Sequence, residues 1–191
     1  MLETYIISHL ESEAKTEYKY LIPGPEDVDI ANWAAKEITD SKTMIPKTTE
    51  ELLNLFQEGR SVVILDYQNK PIAHAAITFL YSNSVIEIGG VIVDPKERRK
   101  GLRSAVVRGA IALGKDNFPG CIQMALCNQY SLDLFLKLGA QELDLQTALK
   151  VIPQEAWELC SSCPNQVQAK SQGKLCCDTP VSLESVNPYK T

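Results

Sequence analysis

Hydrophobic positions in the first third of the chain predict helices around one short strand. Apolar residues at loosely helical spacing predict an N-terminal helix within residues 1–15. Residues 18–22 predict a strand, which a proline- and glycine-rich segment ends. Apolar side chains then recur at helical spacing from Ile30 to Ile38. Further on, Thr48 and Glu51 form a capping box, which predicts the start of a second helix.

The middle of the chain has the spacing of strands. The runs 61–67 and 71–81 predict a hairpin, and 85–93 predicts a third strand beside it. Gly89-Gly90 interrupts that third strand. Because paired glycines inside a strand indicate a bulge or a close approach by another group, we expect an irregularity at this point of the sheet.

The remaining pattern alternates helices with strands. Residues 101–115 predict a helix, 121–127 a strand, and 128–138 a helix that Gly139 closes. We expect 141–151 to be mostly extended. This order predicts an α/β fold with a mixed, mostly antiparallel sheet and helices on both faces.

Composition adds one local feature to this picture. The chain has 191 residues, of which 45% are hydrophobic, and its formal net charge is −5, which argues against nucleic-acid binding. No apolar run is long enough to span a membrane, and the first residues lack the basic segment of a secretory signal. We therefore expect a cytoplasmic protein without membrane contact. Against the acidic background, the basic residues between Lys96 and Arg108 form a distinct patch.

This basic patch lies where a strand ends and a helix begins. The apolar run ends at Asp94-Pro95, and a loop with several arginines and Gly101 leads into the helix. Free backbone amides and the helix dipole favour an anion at such a helix start. Arginine and lysine add charge-assisted hydrogen bonds to phosphate. A solvated helix start is the alternative, but the order of elements favours a diphosphate site.

The loop and the element order resemble those of the GNAT superfamily of acyl-CoA-dependent N-acyltransferases, over residues 18–145. The family's acyl-CoA motif is an arginine or glutamine, two residues, glycine, one residue, then glycine or alanine. Here the stretch 98–103 reads Arg-Arg-Lys-Gly-Leu-Arg. The second motif, an asparagine before a helix with an aromatic residue and a closing Gly-Phe, is similar to Asn128, Phe135 and Gly139-Ala140.

The resemblance implies acetyl transfer from acetyl-CoA to a primary amine of a small molecule or a protein. In the family, the bulged fourth strand separates from the fifth, and its backbone binds pantetheine. The basic loop binds the diphosphate. A homodimer is left open. The implied cofactor-binding residues are Val91, Ile92, Val93, Arg98, Arg99, Lys100, Gly101, Leu102, Arg103, Ser104 and Asn128.

Three positions depart from the family pattern. Arg103 replaces the last small residue of the loop motif, where its side chain either obstructs the diphosphate or points outward to bind it. Phe135 stands where many members have the tyrosine that protonates the leaving thiolate. Gln123 stands where some members have a glutamate base. The usual acid and one usual base are therefore missing.

Glu87 is the remaining candidate for the general base, because strand alternation places it on the same face as the bulge. A solvent-exposed strand carboxylate is the alternative. Tyr130 is an alternative candidate for the general acid. A lone histidine in a strand, such as His74, is typical of a structural role. Two hypotheses follow: an N-acetyltransferase, or a non-catalytic acyl-CoA-binding or regulatory module.

Four cysteines near the C-terminus form a separate candidate site. Cys160-Ser-Ser-Cys163 has the spacing of half a zinc site, and Cys176-Cys177 follows after twelve intervening residues. Zinc, free or redox-active thiols, and disulfides in an oxidising compartment are the alternatives. Because the resemblance does not extend here, we divide the chain into a GNAT-like domain at 1–151 and a cysteine-rich tail at 152–191.

Overall fold

A computed structural model describes residues 18–41, 43–82, 84–161 and 179–189 of the chain. The predicted helix within residues 1–15 lies outside the described residues. None of the helices in the described ranges has the length and hydropathy needed to cross a membrane.

Within these ranges, seven strands form one mixed sheet with the order β1-β2-β3-β4-β5-β7-β6. The β4–β5 pair is parallel and the other described pairs are antiparallel. The strands are β1 (Lys19–Leu21), β2 (Ser61–Leu65), β3 (Pro71–Tyr81), β4 (Val85–Val93), β5 (Ile122–Cys127), β6 (Gln141–Glu142) and β7 (Thr179–Ser182). The helices are α1 (Val28–Ser41), α2 (Thr49–Gln57), α3 (Leu102–Asn117), α4 (Leu132–Lys137), α5 (Leu145–Val151) and α6 (Gln154–Ser161).

Helices cover both faces of the sheet, as the element order predicts. On one face, α3 buries Val106 and Ile111 against Ile64 and its neighbours. On the other face, α1 and α2 bury Ile38 and Leu52 against the opposite side of β2 and β3. Because adjacent strand residues point to opposite faces, the same strands contribute to both layers. The predicted α/β fold is confirmed.

The predicted capping box at the start of α2 is also confirmed. The Glu51 backbone N–H donates to Thr48 Oγ1 at 3.1 Å, and the Thr48 backbone N–H donates to Glu51 Oε2 at 2.6 Å. This pair of hydrogen bonds fixes where the chain enters α2. The loop between α1 and α2 therefore ends at a well-defined point.

The expectation that residues 141–151 are mostly extended is wrong. Only Gln141 and Glu142 form a strand, and α5 begins directly afterwards. Asp144 is the N-cap of this helix and accepts a hydrogen bond from the Thr147 backbone N–H at 3.0 Å. Ala148 is buried against Val85. The local cap and this contact with a distant strand favour a helix here.

Residues 179–189 belong to the same sheet and core. β7 lies between β5 and β6, and Val181 and Leu183 are fully buried. The Leu183 backbone N–H also donates to the Gln123 carbonyl at 2.9 Å. The division of the chain at residue 151 stays a proposal, and any separable tail would have to leave β7 in place.

Candidate active site

A cleft opens where β4 separates from β5. The two strands pair only from Val85 to Glu87, opposite Ile122 to Met124. Immediately afterwards, β4 carries an extra residue relative to β3, because His74 pairs with Ile92 while Ala76 pairs with Gly89. The bulge predicted from the paired glycines is therefore confirmed. Its effect is to leave the following part of β4 unpaired with β5.

A buried histidine supports this bulge. His74 Nδ1 lies 2.8 Å from the carbonyl oxygen of Gly90, and Nε2 lies 3.4 Å from Ser61 Oγ. Burial lowers the pKa of His74 to about 4, so the imidazole is neutral near pH 7. The neutral ring then donates from Nδ1 to Gly90. Since Gly90 has φ +61°, this contact stabilises a backbone conformation that glycine adopts readily.

Among the described residues, the cleft contains two adjoining cavities, and the first lies beside the bulge. Its wall is largely apolar, but Glu87 and Lys47 also line it. The apolar lining includes Ile38, Met44, Phe79, Leu126, Phe135 and Leu159. Such a wall excludes water from the charged groups that face it, which strengthens their electrostatic interactions.

Glu87 is partly buried and lines this first cavity. Tyr81 Oη donates a hydrogen bond to Glu87 Oε2 at 2.6 Å. Burial raises the pKa of Glu87 to about 7, although the Tyr81 hydrogen bond and the charge of Lys47 act in the opposite direction. A carboxylate with a near-neutral pKa can accept a proton at neutral pH, as a general base must. Glu87 is thus not the solvent-exposed strand carboxylate that the sequence left as the alternative.

The residues that depart from the family pattern lie in different places. Phe135 is buried and lines the first cavity, so the position of the usual acid is occupied by a ring without a proton to donate. Gln123 points away from the cleft, under α3, where its Nε2 donates to the Ile111 carbonyl at 3.2 Å. Tyr130 is 61% exposed and lines the second cavity. Tyr81, the last residue of β3, brings a phenol to Glu87.

The second cavity lies at the basic loop before α3. Gly101 is the N-cap of α3 with φ +82°, and no atom lies within 4 Å of a Cβ added there. A ligand can therefore approach the backbone closely at this point. Two of the predicted cofactor-binding residues do not line the second cavity. Lys100 donates a hydrogen bond to Glu97 Oε2 at 2.7 Å, and Asn128 lines the first cavity. The predicted cofactor-binding residues that line the second cavity are Val91, Ile92, Val93, Arg98, Arg99, Gly101, Leu102, Arg103 and Ser104.

The charges of the second cavity are mixed and mostly exposed to solvent. Arg98 and Arg99 are exposed at its edge. Three carboxylates, from Glu37, Asp40 and Glu97, also line it. All three carboxylates have a lysine partner: Lys100 pairs with Glu97, and Lys36 pairs with both Asp40 and Glu37. The two arginines are therefore the main groups available to an anion.

Arg103 connects the two cavities. Its side chain lines both of them, and Nη1 donates to the Tyr130 carbonyl at 3.0 Å. It therefore spans from the start of α3 to the segment before α4. Of the two orientations considered above, the structure places the guanidinium across the cleft and not outward into solvent.

The structure describes only part of the cysteine site. Cys160 lies in α6, while Cys163, Cys176 and Cys177 lie outside the described residues. Among the described residues, no group of three or more His, Cys, Asp and Glu side chains is placed to hold a metal ion. Zinc at the four cysteines stays a prediction, for which the metal content of the purified protein is the direct measurement.

A family model now accounts for this arrangement. The model of the acetyltransferase (GNAT) family matches residues 28–140, more than half of the chain. The chain therefore belongs to the GNAT family of acetyltransferases. A search of curated protein sequences found no match.

Solved structures share the fold at low sequence identity. They include Rv2747 from Mycobacterium tuberculosis, in complex with CoA, at 16% identity and TM-score 0.60, covering 85% of this chain and 96% of that chain. Diaminobutyrate acetyltransferase from Paenibacillus lautus, in complex with its substrate and CoA, has 14% identity and TM-score 0.57. The match covers 92% of this chain and 98% of that chain. N-acetylglutamate synthase from Neisseria gonorrhoeae has 12% identity and TM-score 0.62. The match covers 88% of this chain and 35% of that chain. This chain spans less than half the length of several matched structures.

Proposed function

We propose that the protein transfers an acetyl group from acetyl-CoA to a primary amine, with Glu87 as the general base. The main observation is a carboxylate with a pKa of about 7 in the cavity beside the bulge. The adjoining cavity ends at the basic loop of the family's acyl-CoA motif. One continuous cleft therefore joins a site for a diphosphate to a site for a base.

Each part of the cleft has a role in this reaction. Backbone groups of Val91 to Val93 would bind the pantetheine arm, and the loop Arg98 to Ser104 would bind the diphosphate through amides at the start of α3. Asn128 lines the cavity where the thioester would lie. CoA bound to structures of the same fold supports an acyl-CoA ligand.

The chemical step needs one proton acceptor. The amine nitrogen attacks the thioester carbonyl, Glu87 accepts the proton from that nitrogen, and the carbon–sulfur bond breaks as the amide forms. CoA leaves as a thiolate and takes its proton from solvent. Because thiols titrate at about 8.5, a thiolate leaves readily without an acid. Phe135 in place of tyrosine is thus compatible with catalysis.

A non-catalytic acyl-CoA-binding module is the second candidate. The buried ring of Phe135 and the position of Arg103 across the cleft favour it. The two candidates agree on binding and differ only in the chemical step. Both the enzyme and the module require that acetyl-CoA bind at the basic loop.

Thiol release from acetyl-CoA with a panel of primary amines, followed by mass spectrometry of the product, separates the candidates. The enzyme releases CoA in an amine-dependent way and yields an acetylated amine. Calorimetric binding of acetyl-CoA without turnover on any amine would establish the module instead. Absence of binding would contradict both.

A further inference from the structure

We propose that the amine acceptor carries its own carboxylate, and that Lys47 binds this carboxylate while Glu87 faces the amine. An amino acid with an apolar side chain is the class of acceptor that fits. This inference rests on the proposed acetyl transfer and names the substrate class of the same site.

Lys47 is held at the wall of the first cavity by its neighbours. It directly precedes the capping box at Thr48, which fixes the backbone at this end of the loop. Its Nζ lies 4.9 Å from the centroid of the Phe79 ring, a cation–π contact. Nothing comparable marks this lysine in the sequence, so sequence reasoning missed it.

The ammonium of Lys47 faces the cavity and forms no ion pair with the residues that the structure describes. No carboxylate of the described residues lies within 4.0 Å of its Nζ. The charges that act on it are those of Glu51 and Glu87, which attract it, and of Arg60, which repels it. The Glu51 carboxylate is already bonded to the Thr48 backbone. Partial burial, the largest influence on Lys47, lowers its pKa, and an incoming anion would offset that cost.

Two stacked aromatic rings, Phe79 and Tyr81, connect Lys47 with Glu87: Lys47 contacts the first ring and Glu87 the second. Phe79 is the direct partner of Glu87 in the β3–β4 register. Tyr81 stacks on Phe79 with 5.9 Å between the ring centroids, and its hydroxyl binds Glu87. The cavity therefore presents a cation and an anion that are close but not in contact. This arrangement is complementary to a zwitterion with adjacent amine and carboxylate groups.

The same charges disfavour a simple amine. An alkyl ammonium ion entering the cavity is repelled by Lys47, whereas an amino acid brings a compensating negative charge. Arg103 also lines the cavity, but it reaches into the second cavity and is bonded to the Tyr130 carbonyl. We therefore assign Arg103 to the acetyl-CoA side and Lys47 to the acceptor. The apolar wall favours an apolar acceptor side chain.

The test compares L-leucine with isopentylamine, which has the same side chain and amine but no carboxylate. With acetyl-CoA, the wild type should acetylate L-leucine with a kcat/KM about tenfold or more above that for isopentylamine. Lys47→Met should lower the value for L-leucine by about tenfold and leave that for isopentylamine within about twofold. Lys47→Arg, which keeps the charge, should restore most of the preference.

Lys137→Met is the matched control, because Lys137 is an exposed lysine paired with Asp133, and neither residue lines either cavity. It should leave both substrates unaffected. Equal use of the two amines by the wild type, or an equal loss with both in Lys47→Met, would overturn this inference while leaving acetyl transfer intact. Turnover of no amine at all would overturn the proposed function together with it.

Discussion

The two cavities along β4 differ in how far solvent screens their charges. In the first, Glu87 is partly enclosed by apolar side chains, and its pKa rises to about 7. In the second, Arg98 and Arg99 are exposed, and backbone amides contribute alongside side chains. Electrostatic interactions are strong in the first environment and weak in the second. Removal of a single side-chain charge should therefore act mainly on the chemical step in the first cavity and only mildly on acetyl-CoA binding in the second.

The largest effect is expected for Glu87→Gln. Loss of the proton acceptor should lower kcat by about 10²-fold, with the affinity for acetyl-CoA nearly unchanged. In the wild type, kcat/KM should rise with pH through about 7, because the deprotonated carboxylate is the active form. Steady-state rates across this range are the measurement. A decrease below about threefold would assign Glu87 a structural role.

Tyr81→Phe is the companion variant for that pH profile. The Tyr81 hydroxyl lowers the pKa of Glu87, so its removal should raise this pKa and move the rising limb to higher pH. An unchanged limb would show that a different group titrates. The affinity for acetyl-CoA should remain that of the wild type.

Gly101→Asp should weaken acetyl-CoA binding by about tenfold or more, equivalent to about 1.4 kcal/mol. A carboxylate at the start of α3 would repel the diphosphate and would adopt φ +82° unfavourably. Gly120→Asp is the matched control, since Gly120 has φ +86° and equally open space away from the loop. Calorimetry should find weak binding only for the Gly101 variant. Equal affinities in the two variants would exclude the loop as the diphosphate site.

His74→Ala tests the link between the bulge and the cleft. The Gly90 carbonyl loses its donor, which should cost on the order of 1–3 kcal/mol of unfolding free energy and weaken acetyl-CoA binding severalfold. The pKa of His74 falls from 6.5 to about 4 on folding, so its stabilisation is complete above about pH 6.5 and is lost as the pH falls toward 4. Denaturant unfolding at about pH 6.5 and about pH 4 measures the free energy of unfolding. The loss of that free energy between the two pH values should be smaller in the variant than in the wild type. A variant as acid-sensitive as the wild type would contradict the assignment.

The smallest effects are expected for Arg98→Gln and Arg99→Gln. Each should weaken acetyl-CoA binding by only about threefold or less at physiological salt, because exposed charges are screened. The loss should grow at low ionic strength, which a salt titration of the affinity measures. A loss of about 10²-fold from either variant would mean that this end of the cleft is not screened, and would remove the contrast between the cavities.

The amino-acid sequence alone determined the features that depend on neighbouring residues. The helical and strand spacing, the capping box at Thr48 and the loop around Gly101 depend on residues a few positions apart, and the adjacent pair Gly89-Gly90 marks the bulge. The same local patterns carried the resemblance to the GNAT family. For this reason the fold and the place of the cleft were predictable.

Only the tertiary structure decided which distant groups meet. The pKa of Glu87 depends on Tyr81 and on the apolar wall built by separate elements. Lys47 reaches the same cavity from the loop before α2, and β7 enters the sheet between β5 and β6. Spacing along the chain does not encode such long-range contacts, because they depend on how the helices and strands pack together.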